Sequence, residues 1–148
     1  MMNGFNNKVV VVLKQQSETN GGTLTSDAID TLGYDSVTIL VHGTTSNNAT
    51  NNPSVLSVKE GDTTSSYAAI TALTGDGVGG FTIPNSPTGT TTAPLAMINV
   101  DTRARKRYLQ VLISPVTTQT YSVLAILNRA EQSPVGTSAQ NCAVVVNG

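Results

Sequence analysis

Two apolar segments near the C-terminal end, Tyr108–Ser114 and Tyr121–Asn128, constrain the fold of this chain more than any other feature. In the first, leucine, valine and isoleucine recur at every second position, which is the period of a β-strand. The middle of the second is apolar on both faces. The Pro, Thr and Gln residues between the segments argue against a transmembrane helix, although the span is uncharged and long enough for one. The pattern therefore predicts the two arms of a long β-hairpin inside a sheet.

The rest of the chain has the composition of a β-protein. Strand-forming Thr and Val and turn-forming Asn, Gly, Ser and Pro are abundant, whereas Glu, Lys and Arg, which form helices well, are scarce. We therefore predict an all-β fold, a single β-sandwich or jelly-roll-like domain with long loops over residues 1–148. Further strands are predicted at Lys8–Lys14, Thr23–Ile29, Ser36–His42, Ser54–Glu60, Ser66–Ile70 (a single helical turn being the alternative), Phe81–Ile83, Leu95–Val100 and Cys142–Val146, with turns at Asn20–Gly22 and Gly61–Asp62.

The two ends of the chain carry short β-branched runs beside polar or small residues. Residues 1–7 and 133–148 are predicted to be extended arms. An exposed strand edge recruits another strand through main-chain hydrogen bonds. We therefore expect at least one of Val9–Leu13 and Ala143–Val146 to add to a sheet edge of its own or of a neighbouring subunit. Within the second run, the residues expected to contact a partner are Val144, Val145 and Val146.

The charge and the cysteine content limit the kinds of partner and covalent link that this chain can have. The formal net charge is −1, which gives no overall attraction to nucleic acid or membrane and only weak self-repulsion, as suits a protein that assembles. The single cysteine, Cys142, excludes an intramolecular disulfide. Residues Met1–Lys14 lack the basic and long apolar regions of a signal peptide, so an intracellular product is expected.

Motifs that could carry chemistry are weak. The segment Gly75–Gly80 matches a dinucleotide-binding fingerprint, but Phe81–Pro84 cannot open the helix that such a site needs, so a flexible loop is predicted. His42 would need Asp30 or Asp35 nearby to act as a general base, and a structural or solvated histidine is the commoner outcome.

The remaining polar residues give no stronger signal. Asp27, Asp30 and Asp35 do not have the spacing of a calcium-binding EF-hand loop. Cys142 is interpreted as a small hydrophobic residue. The sequon at Asn48 is interpreted as ordinary loop. We therefore expect no cofactor, no metal site and no enzymatic activity.

The basic cluster, defined here as Arg103–Arg107, is the one concentration of charge. If it continues as a strand, the three arginines project on one side and the lysine on the other. Two interpretations stay open: contact with a phosphate or an acidic partner surface, and a solvated edge neutralised by Asp101 and Glu131. Nucleic acid is a weaker candidate because no aromatic residues alternate with the basic ones. The residues concerned are Arg103, Arg105, Lys106 and Arg107.

Four segments, in order along the chain, resemble small proteins encoded beside the major capsid gene of tailed bacteriophages. They are Ile29–Ile39, Ser57–Tyr67, Arg105–Val111 and Ala125–Glu131. Such proteins resemble head decoration, or cement, proteins, which are β-rich, commonly trimeric and bound to the outer capsid at three-fold positions. The insert Thr74–Pro94 and the tail after Pro134 depart from the pattern.

The resemblance implies a structural virion protein that binds the outside of a phage capsid and bridges neighbouring major capsid protein subunits. It further implies a homotrimer that is made in the bacterial cytoplasm and located on the virion exterior. The basic cluster and Val144–Val146 are the partner contacts expected from the residues themselves. One alternative is a carbohydrate- or receptor-binding module on the virion exterior, with Phe81 in the Thr74–Pro94 loop as its aromatic platform and Gly43–Pro53 as its second loop. A small hydrolase that uses His42 is the other alternative.

Overall fold

Ten β-strands and one short 3₁₀ turn form the secondary structure of the residues that the computed structural model describes, 7–43, 53–84, 94–129 and 144–147. The chain order is β1 (Lys8–Glu18), β2 (Leu24–Thr25), β3 (Ile29–Asp30), β4 (Ser36–Gly43), β5 (Val55–Thr63), β6 (Ser66–Thr74), β7 (Pro94–Asp101), the 3₁₀ turn (Thr102–Ala104), β8 (Tyr108–Ser114), β9 (Gln119–Asn128) and β10 (Val144–Asn147). The predicted all-β class is confirmed.

The strands form two sheets that pack face to face as a β-sandwich. Sheet 1 has the order β1-β9-β4-β7-β10, and sheet 2 has the order β2-β8-β5-β6, with β3 also pairing with β8. Neighbouring strands are antiparallel except β10, which runs parallel to β7. Because β1 and β10 are the two edges of sheet 1, both β-branched terminal runs add to an edge of their own sheet, as expected.

The core lies between the sheets and follows from the period-two pattern. In β4, Val37, Ile39 and Val41 have no exposed surface, as predicted, and the residues between them are more accessible. β9 alternates in the same way along its whole length. Other residues of this core include Leu56, Val58, Leu95, Ile98, Val100, Leu109, Val111, Ile113, Val123 and Leu127.

The hairpin predicted from the two apolar arms is wrong. β8 pairs with β2, β3 and β5 in sheet 2, whereas β9 pairs with β1 and β4 in sheet 1. Residues 115–118 carry the chain across the sandwich, and Pro115 has no N–H with which to extend the ladder beyond Ser114. A period of two is the same for strands that pair edge to edge and for strands that contribute to one core from opposite sheets, so the pattern alone does not choose between them.

One predicted boundary is also displaced. The strand β5 continues through the expected turn at Gly61 and ends at Thr63. A Cβ atom at Gly61 would lie 2.2 Å from the carbonyl oxygen of Ser66, so glycine is needed for the close approach of β6 at this irregular point of the pairing. Phe81–Ile83 forms no strand, whereas Ser66–Ile70 is part of β6 and is not helical.

The predicted strand at Thr23–Ile29 is split into β2 and β3, and Ser26 bridges the gap. Its N–H donates to the carbonyl of Val111 at 2.9 Å, and its hydroxyl accepts the Val111 N–H, also at 2.9 Å. The buried Ser26 thus provides hydrogen-bond partners for both backbone groups of Val111 in the gap between β2 and β3.

Several predictions fall outside the described residues. They concern the N-terminal arm up to residue 6, most of the Gly43–Pro53 loop with its sequon, the end of the Thr74–Pro94 insert, Glu131 and Cys142. Within the described ranges, no helix is long and apolar enough to cross a membrane.

Candidate partner-binding surfaces

The basic cluster begins with a 3₁₀ turn, not with the strand that was predicted. The buried residue Thr102 fixes this turn, because its N–H donates to the carbonyl of Asp35 at 3.0 Å. Asp101 caps the turn by accepting the backbone N–H of Arg103 at 3.1 Å. The chain therefore bends where it crosses from β7 in sheet 1 to β8 in sheet 2, and the alternation of side chains expected for a strand does not occur.

Three cations of the cluster form ion pairs with carboxylates of the same chain. Arg107 donates to both oxygens of Asp30 at 2.9 and 2.7 Å, and its guanidinium lies 4.9 Å from the ring centroid of Tyr108. Lys106 reaches Asp62 at 2.6 Å. Arg103 donates to both oxygens of its neighbour Asp101 at 2.9 and 2.6 Å. Two of these pairs connect the crossing to β3 and β5, so the cluster acts partly within the fold.

These pairs lower the pKa of two of the carboxyls. Hydrogen bonds from the Arg107 side chain hold the pKa of Asp30 at about 2, and those from the Arg103 side chain do the same for Asp101. All six side chains of the three pairs are 45% or more exposed, so water and salt screen the attraction and each pair stabilises the fold only weakly.

Arg105 differs from the other three cations. Within the part of the chain that the structure describes, its guanidinium has no carboxylate partner, although its charge contributes to the low pKa of Asp101. The sequence interpretation with Asp101 as a counter-ion is correct for Arg103. It did not identify Asp30 and Asp62, because residues 77 and 44 positions away meet the cluster only in the folded chain.

The outer face of sheet 1, which points away from the core, carries a second candidate surface. The strand register places six aliphatic or methionine side chains in two adjacent rows on this face. In the first row, Val9 of β1 lies opposite Ile126 of β9. The second row crosses the sheet from β1 to β7 through Val11, Leu124, Leu40 and Met97. We call this set the apolar face: Val9, Val11, Leu40, Met97, Leu124 and Ile126.

Exposure of the apolar face is greatest at the β1 edge of the sheet. Val9 is 60% exposed and Val11 is 55% exposed, whereas the other four side chains are half-buried. Polar groups border the rows, among them Thr38, whose hydroxyl donates to the side-chain oxygen Oδ1 of Asn99 at 3.0 Å. An uncharged apolar centre with a polar border is the usual anatomy of a protein–protein interface.

The C-terminal strand β10 is the third sequence-predicted contact. Its four residues align in parallel register with Ala96–Asn99 of β7, and the side chain of Val146 is buried. Val144–Val146 therefore extend sheet 1 of their own chain, and their backbone forms its outer edge.

His42 lies in a different region from its proposed acids. It lines a cleft of about 260 Å³ with Gln15, Thr120, Tyr121 and Ser122. Asp35 precedes the other end of β4, and the rise per residue of a strand puts it about 20 Å from His42. Asp35 is therefore too far from His42 to serve as the acid that the general-base alternative needs. Asp30 is paired with Arg107. Among the described residues, no group of three or more His, Cys, Asp or Glu side chains is arranged to hold a metal ion.

The segment Gly75–Gly80, called the glycine loop here, was predicted to be flexible. Backbone hydrogen bonds give it one conformation in the structure. Its backbone makes four hydrogen bonds to itself or to neighbouring residues, at 2.7 to 3.4 Å. Residues 81–84, which follow it, form no helix. Phe81, the expected aromatic platform, is partly buried against the core.

Comparison with protein-family models, with curated proteins and with solved structures found no match for this chain.

Proposed function

We propose that this chain is a structural protein of a tailed-bacteriophage virion, which binds the outside of the capsid as a homotrimer and bridges neighbouring major capsid protein subunits. The ordered resemblance of four segments to phage head decoration proteins supports the capsid assignment. The observation in the structure that supports the homotrimer is the apolar face of sheet 1, because an exposed apolar surface gains free energy when another copy of the protein covers it.

The apolar face is assigned to contact between subunits of the trimer. Its side chains are aliphatic apart from one methionine, with no Trp, Tyr or Arg of the kind that dominates contacts between unlike proteins. Interfaces within permanent homo-oligomers instead resemble a domain core cut in two. The near-zero net charge of the chain imposes little repulsion between copies.

The basic cluster has a smaller role in this proposal than its charge suggests. Arg103, Lys106 and Arg107 each have a carboxylate partner in their own chain, so an external acidic group must compete with it. Arg105 has no such partner among the described residues and is the cation best placed to meet an acidic group of the shell. Its contribution is expected to be sensitive to salt.

Stabilisation of the shell follows from mass action. A protein that binds the assembled shell, but not free capsid subunits, shifts the assembly equilibrium toward the shell. Binding across a boundary between subunits is needed for this effect, because a contact within one subunit is the same before and after assembly.

The test compares shells made from the major capsid protein of the same phage, with and without saturating amounts of this chain. We expect decorated shells to survive higher temperatures before they disassemble, as measured by light scattering. The free chain should be a trimer at tens of micromolar, an order of magnitude at which weak association is detectable. Shells with an unchanged disassembly temperature would contradict the proposal.

A receptor-binding or carbohydrate-binding module remains the second candidate from sequence. Sugar binding relies on exposed aromatic platforms, and the one predicted in the loops, Phe81, packs against the core. No contact among the described residues favours this function over capsid binding.

A further inference from the structure

The turn between β1 and β2 is built on an asparagine followed by a glycine. The carbonyl of Thr19 accepts the N–H of Gly22 at 3.0 Å, which closes a turn with Asn20 and Gly21 at its centre. Gly21 has a positive φ of 80°, the value that a type II turn requires at its third residue. This is the turn predicted at Asn20–Gly22, and none of the surfaces described above includes it.

The central peptide group of this turn consists of the carbonyl of Asn20 and the N–H of Gly21. Among the described residues, neither of these two groups takes part in a hydrogen bond. Types I and II of the turn differ by a rotation of this peptide plane, and glycine tolerates φ of either sign. The plane can therefore rotate while the bond between Thr19 and Gly22 is kept.

Both central residues are also open to water. Asn20 and Gly21 are exposed. A Cβ atom at Gly21 would meet no atom within 4 Å apart from its chain neighbours. The Gly21 nitrogen therefore has neither a side chain of its own nor a neighbouring element to shield it, and rotation of the peptide plane brings it to the side-chain carbonyl carbon of Asn20.

This arrangement permits a reaction that needs only water. The Gly21 nitrogen loses its proton and attacks the side-chain carbonyl carbon of Asn20. The bond from that carbon to the side-chain nitrogen breaks, and the nitrogen leaves as ammonia. Water then opens the resulting cyclic imide at either of its two carbonyl groups, which gives aspartate or isoaspartate.

We propose that Asn20 is a modification site, at which the folded protein deamidates spontaneously to isoaspartate and aspartate. The proposal goes beyond capsid binding and does not depend on it. It assigns a chemical role to the central peptide group of the turn, whose lack of hydrogen bonds has no part in the packing of the sandwich.

The product differs from the starting protein in charge and in backbone length. Either product adds one carboxylate, so the formal net charge becomes one unit more negative than −1. The isoaspartate product also adds one carbon to the main chain between sheet 1 and sheet 2. The nearest described carboxylate in sequence is Glu18, which accepts the N–H of Thr19 at 2.8 Å, so the new charge lies beside a like charge.

Two other asparagines of the chain are internal references. Asn99 is 3% exposed and is followed by the β-branched Val100. The side-chain nitrogen of Asn128 donates to the carbonyl of Ile126 at 3.3 Å, and Arg129 follows it. In both cases the side chain of the next residue hinders attack by its backbone nitrogen.

The test incubates the folded chain at a mildly acidic and a mildly alkaline pH and follows each asparagine by proteolysis and mass spectrometry, since deamidation adds about 1 Da. Anion exchange separates the more negative product. A synthetic peptide of residues 17–24 gives the rate without the fold. The variant Asn20→Gln is the matched control, because its longer side chain has to close a larger ring, and circular dichroism checks that this variant is folded.

We expect Asn20 to convert at least about tenfold faster than Asn99 and Asn128, and about tenfold faster for each unit of pH, because the deprotonated Gly21 nitrogen is the attacking group. Its rate should lie within about threefold of the peptide rate, since an exposed turn opens at little cost. The more negative product should be absent from the same peptide of Asn20→Gln. An Asn20 that stays unchanged in the folded chain while the peptide converts, or that converts no faster than Asn128, would overturn the proposal.

Discussion

The apolar face and the core of sheet 1 should respond differently to one and the same substitution. Val11 and Val123 lie on adjacent strands, β1 and β9, but Val11 is 55% exposed on the outer face and Val123 is 1% exposed toward the core. Replacement of valine by threonine preserves volume and strand propensity and changes one methyl group to a hydroxyl.

The expected magnitudes follow from these two environments. At Val123 the new hydroxyl would be buried among apolar side chains without a hydrogen-bond partner, which lowers the free energy of unfolding by about 1–3 kcal/mol. At Val11 the hydroxyl remains in contact with water, so the change should stay within about 0.5 kcal/mol. With a urea m-value of about 2 kcal/mol per molar, Val123→Thr should lower the unfolding midpoint by about 0.5–1.5 M.

The assay is urea unfolding followed by circular dichroism at a protein concentration low enough for the chain to be monomeric, so that association adds nothing to the measured stability. Light scattering at tens of micromolar then tests the apolar face itself. There a double variant, Val9→Thr with Val11→Thr, should shift the chain from the proposed trimer toward monomer while the fold persists. Equal loss of stability at Val11 and Val123, or an undiminished trimer in the double variant, would refute this account of sheet 1.

Three further predictions concern the charged end and the C-terminal strand. Folding lowers the pKa of Asp30 from 3.8 to about 2, because the charged carboxylate pairs with Arg107. Ionised Asp30 therefore stabilises the fold fully above pH 3.8, and this stabilisation is lost as the pH falls toward about 2. Asp30→Asn should therefore reduce the stability lost between pH 5 and pH 2 in urea titrations, and an unchanged pH profile would contradict the pairing. Arg105→Ala should weaken capsid binding more than Arg103→Ala, with the difference vanishing at high salt, as measured by co-sedimentation at two salt concentrations. Deletion of Cys142–Gly148 should lower the unfolding midpoint and the affinity for the trimer or capsid, because the β7 edge loses its parallel partner and the burial of Val146, worth about 1.5–3 kcal/mol; a truncated chain that unfolds and assembles like the intact one would show that β10 is passive.

Local periodicity was sufficient to identify most strands but not their partners. β4 was predicted almost to its ends because valine and isoleucine alternate with more accessible residues. The pairing of β8 and β9 was not predictable, since a strand shows which face is buried but not which neighbour lies at its edge. The connector with Pro115 carries the chain to the opposite sheet, where adjacency in sequence had suggested a hairpin.

The candidate surfaces were predictable to different degrees. The sequence shows that the middle of Tyr121–Asn128 is apolar on both faces, but it was interpreted as part of a core hairpin, and the apolar face was not predicted. The partners of Lys106 and Arg107 were not visible, because Asp62 and Asp30 approach them only through the fold. The glycine loop was identified as a loop, but its hydrogen bonds depend on β5 and on the backbone after the loop.

Co-purification with full capsids tests the central claim of capsid binding most directly. Particles isolated from infected cells should contain this chain at a fixed ratio to the major capsid protein, and the ratio should persist through a density gradient and a wash at moderate salt. A chain that is absent from purified particles, or present at a ratio that varies between preparations, would contradict a structural role in the virion.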